Sequence, residues 1–258
     1  MLVHHLTDAS GVLTVQQVGL PFRDARVPGP VDVIPVRRFW LGRPRCEDVP
    51  DPADLGNLMV VVLSGEASVT DGAAISATSG PGDVLLIDVV GTQSIRFHWS
   101  PETWVLLAHT ESWVPPSDVE TVRRLEPDRR GRPLMTWIYD DDGTSRSQPI
   151  RWPFPLTTVP PVETWARSNG AFVTRRDYGS DTFDEGRWHN GPRPQIGVTL
   201  NGRALNESGD GTVTEPRTGD LAFLDDVEGG GHVTRGLGDR WMLFITVADE
   251  SLRQQREM

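Results

Sequence analysis

Apolar residues in this chain fall in short blocks separated by turn-forming clusters, without long stretches of helical period. Residues 58–63 and 195–200 are brief runs rich in β-branched side chains, closed by turns at Gly65 and Gly202. Residues 84–90 and 221–224 follow Pro/Gly/Asp turns, and residues 104–107 and 241–247 are apolar closing strands. The dipeptides Asp71-Gly72, Asp142-Gly143 and Asp210-Gly211 mark turns that recur as they do in sandwiches and barrels. Helix signals are few: Ser117 with Glu120 forms a capping box for a short helix through Arg124, and residues 249–256 suit another. The pattern predicts an all-β fold with few short helices.

The pattern is written twice. Val61-Val62-Leu63-Ser64-Gly65 and Gly82-Asp83 return 137 positions later as Val198-Thr199-Leu200-Asn201-Gly202 and Gly219-Asp220. The same offset pairs Gly72 with Gly209, Val90 with Val227, Trp104 with Trp241 and Leu106 with Leu243. Near the start the offset is 132, matching Asp8, Gly11, Gln16, Pro21 and Phe22 to Asp140, Gly143, Gln148, Pro153 and Phe154. The change of offset implies one small loop insertion in a tandem duplication. The 258 residues then divide into modules 1–126 and 134–258, joined by an arginine-rich polar linker over 127–133.

Charge and composition remove several classes of function. All 25 basic residues are arginine, which excludes lysine Schiff-base chemistry and the P-loop lysine. A formal net charge of −11 disfavours nucleic acid as a partner. The longest apolar runs fall short of the roughly eighteen residues of a membrane span. No secretory signal is visible at the start, and a single cysteine, Cys46, expected to be buried and inert, can form neither an internal disulfide nor a thiolate cluster. A cytoplasmic location is the expectation. The common nucleotide, nucleophile-elbow, zinc-protease and calcium-loop motifs are also absent from the sequence.

In the second half, His189, Gln195 and Gly202, followed by Gly219 and His232, have the spacing by which the chain resembles the cupin superfamily, specifically the two-domain bicupins. The resemblance covers most of the chain at low identity. His189 takes the first-histidine place of the family motif G-x5-H-x-H-x3,4-E-x6-G, Gln195 the glutamate place and Gly202 the closing glycine. Gly219 opens the second motif, G-x5-P-x-G-x2-H-x3-N, and His232 falls two residues beyond its histidine. Gly191 stands for the second histidine and Gln195 for the acid, and the second motif's proline and asparagine are missing. The run from His189 to Gln195 is also similar to short cupins with an H-x-[AG]-P-x-x-Q motif. The resemblance implies two tandem jelly-roll barrels and a divalent transition metal (Zn, Fe, Mn, Ni or Cu) on His189, Gln195 and His232. It implies a monomer or a homodimer.

The repeat supplies an internal control. A shift of 137 places Pro52, Leu58 and Ile95 at the positions of His189, Gln195 and His232, and none of these side chains can ligate a metal. The site is therefore expected in the second barrel, with the first structural. Neutral imidazole ligates, so metal occupancy is expected to fall as pH drops through about 6.5. Asp226 and Glu228 either reach such a metal or form a solvated turn, and the turn is the preferred reading. Gly229-Gly230-Gly231 makes either a plain loop or room for a ligand.

Strand alternation turns Gly197, Thr199 and Thr234 inward with Gln195 and His232. Arg175, Arg176 and Arg193 either clamp a carboxylate or phosphate or solvate the surface; Trp188 and Tyr178 are candidate aromatic walls. His98 and His109 are expected to be structural, His4 and His5 to lie in a mobile terminus, and Asp140-Asp141-Asp142 to form a type I turn. Two functions remain open. One is a metal-dependent enzyme of the isomerase, cyclase, dehydratase or lyase kind acting on a small molecule, with His189 and His232 catalytic and specialised metabolite biosynthesis as context; iron-dependent dioxygenation is its variant. The other is a non-catalytic module that binds a small ligand.

Overall fold

A computed structural model describes residues 1–9, 12–24, 33–45, 57–70, 75–88, 95–111, 132–150, 159–177 and 186–248. The first half contributes β1 (Val3–Ala9), β2 (Val12–Gln17), β3 (Phe22–Asp24), β4 (Val36–Gly42) and β5 (Asn57–Ser64). It continues with β6 (Ala67–Thr70), β7 (Ile75–Ser79), β8 (Val84–Asp88), β9 (Arg96–Trp99) and β10 (Trp104–Thr110). The second half contributes β11 (Met135–Asp141), β12 (Thr144–Pro149), β13 (Ala166–Asp177) and β14 (Trp188–His189). After these come β15 (Gln195–Ser208), β16 (Val213–Thr214), β17 (Leu221–Asp225) and β18 (His232–Val247). Among the described residues the one helical turn is a 3-10 turn, Val162–Thr164. None is long and apolar enough to cross a membrane. Both helices expected from sequence, Cys46, Tyr178 and the Asp71-Gly72 turn lie outside the described residues, as does most of the expected linker.

The fold is all-β, two jelly-roll barrels built on one pairing scheme. The main sheet runs β12-β11-β17-β15-β18-β13-β4-β10-β5-β8-β1-β2, an order that reads alike from either end once each strand is replaced by its repeat counterpart. The registers obey the sequence offsets. Val3 pairs with Val84 as Met135 pairs with Leu221, and Leu58 with Ile87 as Gln195 with Leu224. Val69 lies between Phe97 and Ala77 as Asn206 lies between Thr234 and Thr214. The second wall of the first barrel is the separate sheet β7-β6-β9; in the second barrel the far ends of β15 and β18 serve. The halves join through β4 and β13, where Phe39 pairs with Ala166 and Ile34 bridges Ala171. In addition, β3 leaves the first half to pair with β13.

The aspartate of each Gly-Asp pair performs the same task. Asp83 accepts the backbone N–H groups of Leu2 and Gly80 at 2.6 and 2.9 Å, and Asp220 those of Leu134 and Arg217 at 2.6 and 2.9 Å. The glycines serve the contact between halves. A Cβ on Gly82 would stand 2.0 Å from the Leu200 carbonyl oxygen, and one on Gly219 would stand 1.9 Å from that of Leu63. Both glycines have positive φ, so the turn of each barrel fits the strand of the other only without a side chain.

Main-sheet strands bury both faces. Met59, Val61, Leu63, Val84, Leu86, Trp104 and Leu106 pack in one cluster with Ile196, Val198, Leu200, Leu221, Phe223, Trp241 and Leu243, so the shared core lies between the barrels. The opposite face of the first barrel is filled by Trp40, Leu58, Val60, Val62, Leu85, Ile87, Phe97, Trp99 and Leu107. Burial on both faces explains why residues 58–63 read as an unbroken apolar run. Two expectations need correction. His4 and His5 are not in a mobile terminus: they sit half-buried on β1, paired with both β2 and β8. The Asp142-Gly143 turn has φ of 49° and 81°, the mirror-image hairpin turn rather than type I, because that twist matches the strands it joins.

Candidate functional site

The interior of the second barrel differs from the first position by position. Val60 and Val62 correspond to Gly197 and Thr199, Leu85 to Ala222, Val69 to Asn206, Phe97 to Thr234 and Trp99 to Gly236. On the inward face larger apolar side chains are replaced by smaller or polar ones, whereas the face toward the other barrel stays apolar. A cavity of about 470 Å³ results, with Phe172, Gln195, Gly197, Ala222, Leu224, Met242 and Phe244 in its wall. His189, His232 and Arg176 line it as well.

The two histidines meet because β14 pairs with the start of β18, setting His189 opposite His232. Their ring centroids lie 4.5 Å apart at 55°. Gly231 makes this possible: a Cβ there would stand 2.4 Å from the His189 carbonyl oxygen, so the glycine run serves backbone approach rather than ligand space. Nδ1 of His189 donates to the Arg187 carbonyl at 2.9 Å, and Nδ1 of His232 donates to Oδ2 of Asp226 at 2.5 Å. With both Nδ1 atoms engaged, Nε2 is the nitrogen each ring offers to a ligand. Burial lowers the pKa of His189 below its ordinary value; His232 and Arg176 also lower it, against raising effects from the Arg187 carbonyl and Asp226.

Asp226 corrects the sequence reading most. It is no solvated turn residue: its side chain is 0% exposed and orients His232. The loop carrying it is braced from two sides, because Asn190 Nδ2 donates to the carbonyls of Asp226, Glu228 and Gly229 and Asp140 accepts the Glu228 N–H. Ser145 Oγ donates to the Gly231 carbonyl from the same hairpin. Glu228 itself is exposed.

The other sequence candidates divide. Gly197 and Thr234 line the cavity as alternation implied, but Thr199 lies behind it, its hydroxyl donating to the Met242 sulfur at 3.3 Å. Arg193 is exposed outside the cavity lining, and Trp188 is 51% exposed on a two-residue strand, so neither side chain forms the wall. Alternation places Arg175 on the other face of β13 from Arg176: it pairs with Asp239 at 2.9 Å and packs over Trp241 and Phe22. Arg240 and Asn206 line the cavity and were missed, although the period-two pattern from His232 includes Arg240.

The donor set fits a divalent metal. The paired imidazoles, each with Nε2 left open, are a donor type that suits a divalent transition metal. Gln195 is 4% exposed, with an Oε1 that lacks a hydrogen-bond partner in the cavity wall, an acceptor suited to a cation. A carboxylate behind a ligating histidine is the usual supporting arrangement. Among the described residues no group of three His, Cys, Asp or Glu gathers, so a ligand set here includes the amide.

No family model and no curated protein matches the chain. Solved structures similar to it include a cupin 2 conserved barrel domain protein from Leptotrichia buccalis, 13% identical, covering 88% of this chain and 99% of that one at a TM-score of 0.37. A protein of unknown function of the DUF861 family from Pseudomonas syringae pv. tomato is 14% identical, covering 88% and 92%, at 0.33. The Escherichia coli pirin YhhW, solved with nickel(II), is 13% identical, covering 90% and 91%, at 0.31. Likenesses of this order carry no statement about activity, and the barrel assignment rests on the strand pairing.

Burial lowers the pKa values of His4, His5, His109 and His189. Below about pH 6.5 the unfolded chain therefore binds more protons than the folded one, and stability declines as pH falls through that value toward the folded pKa values. Thermal unfolding should give a lower Tm at about pH 5.5 than at about pH 7.5, and the double variant His4→Gln/His5→Gln should narrow the difference. An equal Tm at both pH values would contradict it.

Proposed function

We propose that the second barrel is a metal-dependent active site for a small organic substrate, with His189, His232 and Gln195 holding a divalent transition metal. The observation that carries this reading is the pair of facing imidazoles, each fixed through Nδ1, beside the orphaned amide oxygen of Gln195. Such a metal supplies Lewis-acid polarisation of a carbonyl or hydroxyl, which suits isomerisation, cyclisation, dehydration or lyase chemistry. Asp226 holds the His232 ring in one tautomer and balances part of the cationic charge. Phe172, Leu224, Met242 and Phe244 give the substrate an apolar wall and keep water from it. The first barrel, packed with side chains at the equivalent positions, is a scaffold.

Metal analysis of the purified chain tests the proposal. One equivalent of a divalent transition metal is expected in the unaltered protein, with His189→Ala or His232→Ala reducing it to near zero while the fold persists. A chain that stays metal-free after incubation with such ions, at full thermal stability, favours the second reading of a ligand-binding module. That reading draws on the absence of a clustered carboxylate ligand among the described residues.

A further inference from the structure

The cavity wall carries two charges that face each other. Arg176 on β13 is directly opposite Arg240 on β18, and both line the cavity. The two are cationic neighbours on one face of the strand pair, and in this arrangement Arg240 is only 8% exposed. The repeat shows that the barrel does not need it: the corresponding positions in the first half are Pro44 and Thr103, both buried. The arginines accompany the hollow copy alone. Among the described residues no Asp or Glu lines the cavity. Nearby, Asn206 uses its Oδ1 to accept from Thr234 at 3.0 Å, which leaves its NH2 as the group it can offer. A guanidinium has five N–H donors, so each arginine can hold contacts within the wall and an anion together.

We propose that this cavity takes a small organic acid, its carboxylate between the guanidiniums of Arg176 and Arg240 and its apolar body against Phe172, Met242 and Phe244. Guanidinium forks match a planar carboxylate in two-point contact. The volume of about 470 Å³ suits a ligand of modest size, and the wall away from the arginines is aromatic and aliphatic. This inference rests on the cavity being the functional site but not on the metal.

The test is calorimetric titration of the full chain, stripped of metal, with phenylacetate, phenylacetamide and phenyl phosphate. Phenylacetate should bind about tenfold or more tighter than the neutral amide, and Arg176→Gln should erase that preference. Arg176 is half-buried, so this variant decides the matter even if Arg240→Gln fails to fold. The preference should persist in His189→Ala. Equal binding of acid and amide, a preference that survives Arg176→Gln, tightest binding of the phosphate ester, or no binding at millimolar concentration would each overturn the proposal. Loss of the preference in His189→Ala alone would assign the anion to the imidazoles and overturn it too, leaving the metal reading intact. Selection of the acid through Arg176 in the stripped chain supports this proposal whatever the separate metal analysis gives.

Discussion

Gly219→Ala lowers the melting temperature by about 10 °C or more, and Gly82→Ala does the same, because each puts a methyl group into backbone of the opposite barrel. The new Cβ at Gly219 would lie 1.9 Å from the Leu63 carbonyl oxygen, far inside contact distance, and the partner is a central strand rather than a flexible side chain. The left-handed backbone alone costs an alanine about 1–2 kcal/mol. Relief of the overlap requires the two sheets to part where Leu63 and Leu200 pack in the shared core, which raises the loss above about 4 kcal/mol. At about 2–4 °C per kcal/mol for a chain of this size, the shift is easily read in a thermal melt. Gly211→Ala is the control, since Gly211 also has positive φ but meets nothing within 4 Å. Equal losses at Gly211 and Gly219 would show that the contact between halves contributes nothing.

At the proposed metal site, Asp226→Ala is expected to weaken metal binding by about 10–100-fold although none of the three proposed donors is removed. The carboxylate fixes the His232 tautomer with Nε2 bare, and without it the ring can rotate or move its proton to the ligating nitrogen. The change also strands a buried N–H, costing about 1–3 kcal/mol of stability. Asp226→Asn keeps an acceptor oxygen and should fall between the two. Competition against a chromogenic chelator reads the affinity. An unchanged value in Asp226→Ala would mean that packing alone orients His232, or that His232 is no ligand.

The repeat was legible because the identities that betray it serve the contact between barrels. Val61 and Val198, Leu63 and Leu200, Trp104 and Trp241, and Leu106 and Leu243 all belong to the shared core. Their counterparts across the halves pack against one another, so an apolar side chain is needed in both copies. Inward positions have no such reciprocal constraint, and there the copies diverged. Of the candidate site, His189, Gln195 and His232 could be picked out because polar side chains replaced apolar ones at matched positions. Asp226 could not, since an acid after a strand and before a glycine run reads as a turn; its burial depends on the hairpin 135–149 and on Asn190 closing over the loop. Arg193 and Trp188 misled for the opposite reason. Trp188 is next to a cavity residue on β14, where neighbouring side chains point to opposite faces, and Arg193 lies on a bend before β15, where strand alternation does not hold.

The sequence by itself determined the all-β class, the duplication with its registers, and which half carries polar side chains at the matched positions 189, 195 and 232. These follow from local turn chemistry and from period-two burial, which are properties of neighbours along the chain. Only the tertiary structure decided that one barrel is filled and the other hollow, that Asp226 stands behind His232, and that Arg176 meets Arg240. Each of those depends on which strands lie side by side and on how much volume the inward side chains leave, and sequence separation does not encode either.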